Sequence, residues 1–510
     1  MKKQLNKIII FGSLFALAAC SSSSPKGGSG STSGGAPAAK PGEGYTSPSS
    51  GSFKLKPFKE SKLANGLKII YIQDESLPRL SFTMLVKTGS LNEATPGLNA
   101  ITAYMLEQGS QTRTATQLAD EFGQIGTDMD VVPSTDFTTL YTDGLTANAD
   151  TLLGLFSDVV MAPAFKDAEL VRIKSQTISS LVKKIDNPST YADVRMDAFL
   201  FGEHPYGREI LGTPEAVRVL KKQDLIKHYL TYYRPNNSTL AVVGNFSGDF
   251  EKKVEDVFGK WAKRTVPEAK VAAAVGNDTL KVKFLSKRGL QQTQIRIAEL
   301  GISRLDPDYL ATRIGNEILG GSFASRLNQK IRDDKGLTYS IYSNFDVRKE
   351  VGSFEVNTFT KNESVGKTVE ETLSAVREFV ASGATDKELE AAKMQLIGQF
   401  PRAIETADRL AYNLLALDFY GIPVSYLTQF NHNVRALKLK QVNEVIQKKI
   451  KPEQLKILIY GDASVLPQLK EWKPEVERVG VVAPPAVKPA VAAPAVAPAA
   501  APAAEPATTN

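Results

Sequence analysis

The segment PGLNAITAYMLEQGS, residues 96–110, carries the pattern on which the fold assignment depends. Pro96 and Gly97 are typical of a helix start, and Gly109 is typical of a helix end. Between them, apolar residues recur at helical spacing and predict a core-facing side: Leu98, Ile101, Met105 and Leu106. A similar helical segment, PDYLATRIGNEILGG, follows 211 residues later at 307–321. The chain therefore contains a candidate internal repeat.

Three further pairs of segments support the repeat. GLKIIYIQD (66–74) pairs with TLKVKFLSK (279–287), FKDAELVRIKSQ (165–176) with TDKELEAAKMQ (385–395), and RPNNSTLAVVGN (234–245) with KPEQLKILIYGD (451–462). Their offsets are 213, 219 and 217 residues. This period is far longer than that of a solenoid and predicts two similar tandem domains. We place them at 54–265 and 279–482, joined by a linker at 266–278.

The pattern within each unit predicts the fold class α+β. Strand-like runs such as LKIIYIQ and STLAVVG occur with long helical patterns such as KTVEETLSAVREFVAS, without strict alternation. We expect each domain to be a mostly antiparallel sheet packed with helices. The hydrophobic fraction of 42% and charged fraction of 23% are normal for a globular protein. The net charge of +7 comes without a long basic run with interleaved aromatic residues, so we expect no nucleic acid partner.

Both ends of the chain differ in composition from its body. MKKQLNK followed by twelve apolar or small residues is typical of a signal peptide. LAAC at 17–20 resembles the lipobox of bacterial lipoproteins, which implies lipidation of Cys20, the single cysteine. An ordinary secretory leader with an incidental cysteine is the alternative. Ser21 follows Cys20, and in lipoproteins this favours the outer membrane, here facing the periplasm. We expect residues 21–53 to be a disordered tether and residues 483–510 a disordered Ala/Pro-rich tail.

The body from 54 to 482 resembles the pitrilysin-like peptidases, specifically the branch of the mitochondrial processing peptidase. The resemblance rests on LVKTGSLNE before residue 96, on MLEQGSQTRT after the helix and, most specifically, on ILGGSFASRLNQKIRDDKGLTYSIYS at 318–343. It implies two similar α+β domains that form half of a clamshell chamber. Four such domains, in one or two chains, would surround an unfolded peptide.

The resemblance fails at the zinc site. In the family, H-x-x-E-H on a helix supplies two zinc ligands and the general base, and a later glutamate completes the site. The corresponding positions here are Ala100, Ala103 and Tyr104, and the third-ligand position falls at about Ser180. None of these residues replaces the lost chemistry. We therefore predict a degenerate zinc site and no metal in this chain.

The remaining histidines offer no substitute site by sequence. His204, His228 and His432 are the three histidines of the chain, and none has a neighbouring histidine at ligand spacing. The edge segment beside the lost site is changed as well. In GTDMDVVPSTDFTTLY (126–141), Asp130 stands where the family usually has asparagine, and Pro133 lacks the N–H that a strand edge would donate.

The second unit keeps a different part of the family machinery. Arg332 and Tyr339 lie seven residues apart in IRDDKGLTYS. An Arg-Tyr pair at this spacing implies donors that hold the substrate carbonyl and the oxyanion. The alternative is that Arg332 caps a helix and Tyr339 packs at a strand start. The resemblance also implies substrate binding by a glycine loop, although a plain helix end fits the same residues: Gly320, Gly321 and Ser322.

These observations predict a zinc-less, non-catalytic subunit of a heterodimeric zinc peptidase. The expected partner is a similar chain that binds zinc, and the expected substrate is an unfolded peptide. The chain alone should not be a peptidase. The alternative is a non-enzymatic peptide-binding or scaffold lipoprotein of the same fold.

Overall fold

The computed structural model describes residues 54–269 and 271–480. The predicted leader with Cys20, the predicted tether and the predicted tail lie outside the described residues. Within the described ranges, no helix combines the length and the apolar character that a membrane crossing requires.

The first domain is built on a sheet of six strands. Its elements are β1 (Lys59–Lys62), β2 (Lys68–Gln73), β3 (Arg79–Val86), α1 (Leu98–Leu106), α2 (Ala115–Gln124), β4 (Met129–Pro133), β5 (Thr138–Leu145), α3 (Ala149–Met161), α4 (Asp167–Lys184), α5 (Pro188–Phe201), α6 (Pro214–Val219), α7 (Lys222–Tyr232), β6 (Ser238–Gly244) and α8 (Gly248–Gly259). The strand order is β1-β2-β6-β3-β5-β4, and every pair except β2–β6 is antiparallel.

The second domain repeats this plan. Its elements are β7 (Lys281–Ser286), β8 (Gln292–Leu300), α9 (Tyr309–Asn316), β9 (Ile341–Asp346), β10 (Ser353–Lys361), α10 (Val365–Ser382), α11 (Asp386–Ile404), α12 (Ala407–Tyr420), α13 (Ser425–Thr428), α14 (Phe430–Ala436), α15 (Leu439–Lys449), β11 (Lys456–Gly461) and β12 (Glu475–Arg478). The strand order is β12-β7-β11-β8-β10-β9, so β9 occupies the edge that β4 occupies in the first sheet.

The two sheets confirm the predicted α+β class and the tandem repeat. β7 follows β2 by 213 residues, and α9 follows α1 by 211 residues, which are the offsets found in the sequence. Residues 262–269 and 271–277 carry neither helix nor strand and connect the two domains. The predicted domain limits at 265 and 279 fall on either side of this stretch but stay predictions.

Each domain gives one helix to the sheet of the other. α5, from the first domain, packs on β8 and β11 of the second sheet. α12, from the second domain, packs on β6, β2 and β3 of the first sheet. Pro188 begins α5 and Ala407 begins α12, again 219 residues apart. The helix exchange, as we call this arrangement, means that both sheets are covered on both faces.

Coverage of both faces explains why β2 (KIIYIQ) and β11 (KILIYG) are almost uniformly apolar, as expected for strands buried on two sides. In β2, Ile69 and Tyr71 belong to the core of the first domain, whereas Ile70 faces the core that contains α12. In β11, Ile457 points into the core of the second domain and Leu458 packs with residues of α5. Successive side chains therefore serve opposite faces.

Charged side chains fix the exchanged helices in register. On the first sheet, Arg79 donates to an Asp408 carboxylate oxygen of α12 at 2.5 Å, and the Ser81 hydroxyl donates to the other oxygen at 2.5 Å. On the second sheet, Arg296 donates through Nε to Asp193 of α5 at 2.5 Å. The Arg296 side chain is only 4% exposed, and a buried charge is costly unless it is paired, so this ion pair favours one position of α5 on the second sheet.

A buried group of polar side chains joins the β9–β10 hairpin to the first domain. Arg348 of the hairpin donates to both Asp197 oxygens of α5 at 3.3 Å and to Asp346 at 2.8 Å. Its guanidinium lies 5.1 Å from the ring centroid of Tyr206, whose hydroxyl donates to Asp136 at 2.7 Å. Burial raises the pKa of Asp197 to about 7, against the opposing effect of Arg348. We call these residues the interdomain lock.

Candidate functional site

Helix α1 carries the predicted degenerate zinc positions, and its first turn is capped by a carboxylate. Gly97 has a φ of +87°, in the left-handed region that glycine adopts without strain. The Glu93 carboxylate accepts the backbone N–H groups of Gly97 at 3.0 Å and Asn99 at 2.9 Å. These two bonds satisfy donors that a helix start leaves unpaired. Burial raises the pKa of Glu93 to about 7, while the two N–H groups oppose the rise.

The predicted degenerate zinc positions on α1 lie inside the protein. Ala100 and Ala103 are completely buried, and Tyr104 is half-buried against the core of the first domain. The sequence pattern predicted a core on one side of α1, whereas the structure buries eight of its nine residues. The difference arises because α7, β4 and α4 all pack around this helix. Methyl groups fill the places from which a metal ligand would project.

A neutral polar pair lies beside these alanines. The His228 Nε2 atom of α7 lies 3.1 Å from Asn99 Oδ1, and Asn99 Nδ2 donates to the Thr138 hydroxyl at 3.2 Å. Burial lowers the pKa of His228 to about 4. His228 is therefore a neutral packing histidine at pH 7.

The donor set does not fit a zinc ion. Over residues 54–269 and 271–480, no group of three or more His, Cys, Asp or Glu side chains is arranged to hold a metal. His204 begins a 3₁₀ turn and accepts the Tyr206 N–H at its Nδ1 atom, and His432 is exposed on α14. Ser180 is exposed on α4, a helix that contacts α1, and its hydroxyl is no substitute for a carboxylate.

Strand β4 forms the sheet edge next to α1. Asp130 lies opposite Tyr141 of β5, and Pro133 is the last residue of β4 and is buried. Since Pro133 has no N–H, the free side of β4 cannot donate there to an added strand. The structure thus places Pro133 at the end of the edge strand and not at its centre.

The structure brings Arg332 and Tyr339 together at the surface of the second domain. Arg332 belongs to the π-helical segment Asn328–Asp334, and Tyr339 lies two residues before β9. The guanidinium carbon lies 5.9 Å from the Tyr339 ring centroid, and 80% of Tyr339 is exposed. Arg332 Nη1 also donates to the neighbouring Asp333 carboxylate at 3.2 Å.

Phe323 completes this cluster, and sequence reasoning missed it. Its ring centroid lies 4.5 Å from the guanidinium carbon of Arg332, closer than that of Tyr339. The side chain is 72% exposed although it is one of the largest apolar residues. A phenylalanine placed directly after the glycine loop was the only sequence signal. We call Phe323, Arg332 and Tyr339 the arginine–aromatic cluster.

The glycine loop beside the cluster packs against β9. A Cβ atom on Gly320 would lie 2.6 Å from the backbone nitrogen of Ser343, so only glycine fits. Gly320 therefore serves the approach of β9, while Gly321 is exposed and Ser322 is half-buried at the surface. Asn328, which the sequence analysis also missed, donates to the carbonyls of Ser322 at 3.1 Å and Ile341 at 3.0 Å.

Comparison with known proteins agrees with this geometry. Residues 68–214 match the model of the insulinase family, peptidase family M16, and residues 220–396 match that of the M16 inactive domain. Together the two segments cover more than half of the chain. The chain belongs to the M16 peptidase family. Its resemblance to the pitrilysin-like peptidases is thereby confirmed.

Relatives of this M16 protein are described either as zinc proteases or as a non-peptidase homolog. It is 26% identical to the uncharacterized zinc protease YmxG of Bacillus subtilis, over 74% of this chain and 92% of the relative. It is also 26% identical to the non-peptidase homolog YmxG of Helicobacter pylori, over 74% of this chain and 88% of the relative.

Among solved structures, an M16 inactive domain from Pseudomonas fluorescens has a TM-score of 0.74 at 27% identity, covering 80% of this chain and 98% of that one. A protease from Helicobacter pylori has a TM-score of 0.73 at 18% identity, covering 80% and 100%, and shows the shared fold. On these comparisons, this M16 protein is a non-catalytic member and is not a peptidase on its own. The degenerate zinc positions at Ala100, Ala103 and Tyr104 stay predictions.

Proposed function

We propose that this M16 protein is the non-catalytic half of a heterodimeric zinc peptidase. Its partner is a similar chain that supplies the zinc site, and its substrate is an unfolded peptide. This chain contributes Arg332 and Tyr339, which hold the substrate carbonyl and stabilise the oxyanion that forms at it. The observation that carries the proposal is the meeting of these two donors at an exposed site, in a chain whose own predicted zinc positions hold no metal ligand.

The chemistry of the cluster suits this task. An arginine guanidinium offers five N–H donors, and a tyrosine offers one O–H donor. Arg332 has one ionic neighbour within the described part of the chain, the adjacent Asp333, so most of its donors are available. Such donors lower a barrier when they are fixed in advance where negative charge develops. Gly321 and Ser322 lie at the surface near the same site and would allow a peptide to approach the backbone.

The place of action is part of the proposal. Cys20 would carry the lipid that anchors the complex to the outer membrane, with the folded body in the periplasm. The stretch from 21 to 53 would separate the body from the membrane. Labelling growing cells with a radioactive fatty acid tests the anchor: label should enter the wild-type chain and be absent from Cys20→Ala.

The composition of the native complex tests the heterodimer first. We would isolate the tagged chain from detergent-solubilised membranes and measure native mass and zinc content. A one-to-one complex with a second chain of similar size and one zinc supports the proposal. Recovery of this chain alone or self-paired, without zinc, contradicts it and favours the scaffold function instead.

Two substitutions then test the role of the donors. Arg332→Ala and Tyr339→Phe should each lower kcat of the complex by roughly 10²–10³, the loss seen when an oxyanion donor is removed. Arg377→Ala is the matched control, because Arg377 is a surface arginine on α10 paired only with the exposed Glu453 among the described residues. Unchanged cleavage after both cluster substitutions would refute the role, even if the complex assembles.

A further inference from the structure

The exposed side chain of Phe323 needs an explanation. Exposing a large apolar ring forgoes the roughly 1.5–3 kcal/mol that burial of such a side chain provides. Phe323 is 72% exposed. Its ring contacts a charged group, since the guanidinium carbon of Arg332 lies 4.5 Å from the ring centroid. This distance lies within the range of cation–π attraction. The contact involves one of the two proposed donors of the site.

Arg332 is otherwise weakly held. Its ion pair with Asp333 spans 3.2 Å between two partly exposed side chains, 26% and 41% exposed. Exposed ion pairs of this kind contribute little order or stability. A long arginine side chain has several free rotations, so a guanidinium held only in this way would sample many directions. The rings of Phe323 and Tyr339 add two cation–π contacts, at 4.5 Å and 5.9 Å from the guanidinium carbon.

The ring of Phe323 is itself attached to a well-bonded loop. The Ser325 N–H donates to the Ser322 carbonyl at 3.2 Å, which closes a turn around Phe323. Asn328 donates to the same carbonyl at 3.1 Å and to the Ile341 carbonyl of β9 at 3.0 Å. The backbone that carries Phe323 is therefore tied to the strand that Tyr339 precedes. A ring on such a backbone can restrict the guanidinium that stacks on it.

We infer that Phe323 is a positioning residue, which holds the guanidinium of Arg332 in the direction required for the oxyanion. This inference rests on the proposed function. Phe323 does not contact the reacting atoms itself. It stacks on a planar cation and limits the orientations of its N–H donors. The effect should appear in kcat, because the orientation of these donors matters most where negative charge develops on the oxyanion in the transition state.

Kinetics of the native complex provide the first test, with a pool of internally quenched peptides as the probe. Phe323→Ala should lower kcat about two- to five-fold with KM unchanged, the size of an exposed cation–π contact. Phe323→Tyr should restore the wild-type value, and Phe323→Leu, which keeps apolar bulk without the ring, should not. Met394→Ala is the matched control, because Met394 is also a large exposed apolar residue, on α11. The thermal midpoint should be the same in all four variants.

A double substitution separates positioning from a general effect. In the Arg332→Ala background, Phe323→Ala should cause no further loss, because the residue acts through the arginine. Additive losses would overturn the inference. If Arg332→Ala itself has no effect, the proposed function fails and the positioning role fails with it. If Arg332→Ala is severe but Phe323→Ala is silent, the proposed function stands and only the inference fails.

Nuclear magnetic resonance of the isolated chain gives a readout that does not require the partner. The Nε–Hε signal of Arg332, assigned by its loss in Arg332→Lys, should be shifted by the ring current of Phe323. The shift should disappear in Phe323→Ala and persist in Phe323→Tyr. An unchanged Arg332 signal in Phe323→Ala would show that the stacking does not order the guanidinium, and would overturn the inference regardless of the kinetics.

Discussion

Replacing Arg348 with methionine would remove the cation at the centre of the interdomain lock. Arg348 donates to Asp197 of α5 and to Asp346 of its own hairpin, and it stacks near Tyr206. Methionine keeps much of the apolar stem and removes the charge. Asp197 would then remain at the domain contact without its counterion, with only 34% of its side chain exposed to solvent.

The magnitude follows from burial on the two sides of the pair. Breaking a buried ion pair by removing one partner costs about 3–5 kcal/mol. The Arg348 side chain is 13% exposed and that of Asp197 is 34% exposed, so we expect the lower end, about 3 kcal/mol at pH 8. The pKa of Asp197 is already raised to about 7 by burial. Since Asp197 is mostly protonated at pH 5.5, the cost there should be about 1 kcal/mol smaller.

Denaturant unfolding at both pH values measures this difference, and limited proteolysis of the segment 262–277 reports whether the domains separate. Faster cleavage of Arg348→Met should accompany the loss of stability. Arg377→Met is the control, since its pair with Glu453 is exposed and should cost under about 1 kcal/mol. A cost for Arg348→Met no larger than that of the control, or one that grows at pH 5.5, would refute the assignment of the lock.

Three other predictions concern the two sites. Gly320→Ala should lower the unfolding free energy by about 1–3 kcal/mol, because its Cβ would clash with the β9 backbone. Gly398→Ala, in α11 with open space around it, should raise the unfolding free energy by about 0.5–1 kcal/mol. Equal effects of the two substitutions in an unfolding titration would show that Gly320 is not required for the approach of β9. His228→Gln keeps a donor for Asn99 but does not titrate. Burial depresses the pKa of His228 to about 4 in the folded protein, so its contribution to stability is complete above the unfolded pKa of about 6.5 and falls as the pH drops below it. Between pH 7.5 and pH 5, the unfolding free energy of the wild type should fall by about 2 kcal/mol relative to that of the variant. Parallel pH profiles of the two proteins would show that His228 is not a buried neutral group. Finally, elemental analysis of the purified chain should find far less than one zinc per molecule, and stoichiometric zinc that survives dialysis would disprove the degenerate site.

The repeat could be found in the sequence because both units obey the same local rules. Strand-like runs predicted the strands near residues 68 and 238, and helical periodicity predicted α10 to within about two residues. The degenerate zinc positions could also be assigned from the sequence, because a ligand motif is defined by residue type and spacing, and this assignment stays a prediction. These features depend on neighbours in the chain, which the sequence contains directly.

The helix exchange and the arginine–aromatic cluster depend on distant neighbours. Periodicity shows that one side of α12 is apolar but not which sheet it covers, and its partner strands are more than 150 residues away. Likewise, Phe323 and Arg332 are nine residues apart across an irregular π-helical segment, for which no periodicity predicts a contact. The burial of Ala100 was missed for the same reason, since three separate elements close around it.

The exchanged helices also bear on the ancestry and engineering of the chain. Two copies of a single unit that traded one helix each would form a domain-swapped homodimer, and joining them end to end would give the arrangement described here. A cut at the connecting segment would leave each half with a bare apolar sheet face and invite aggregation. Co-expressed halves, in contrast, should reassemble, each supplying the helix that the other lacks.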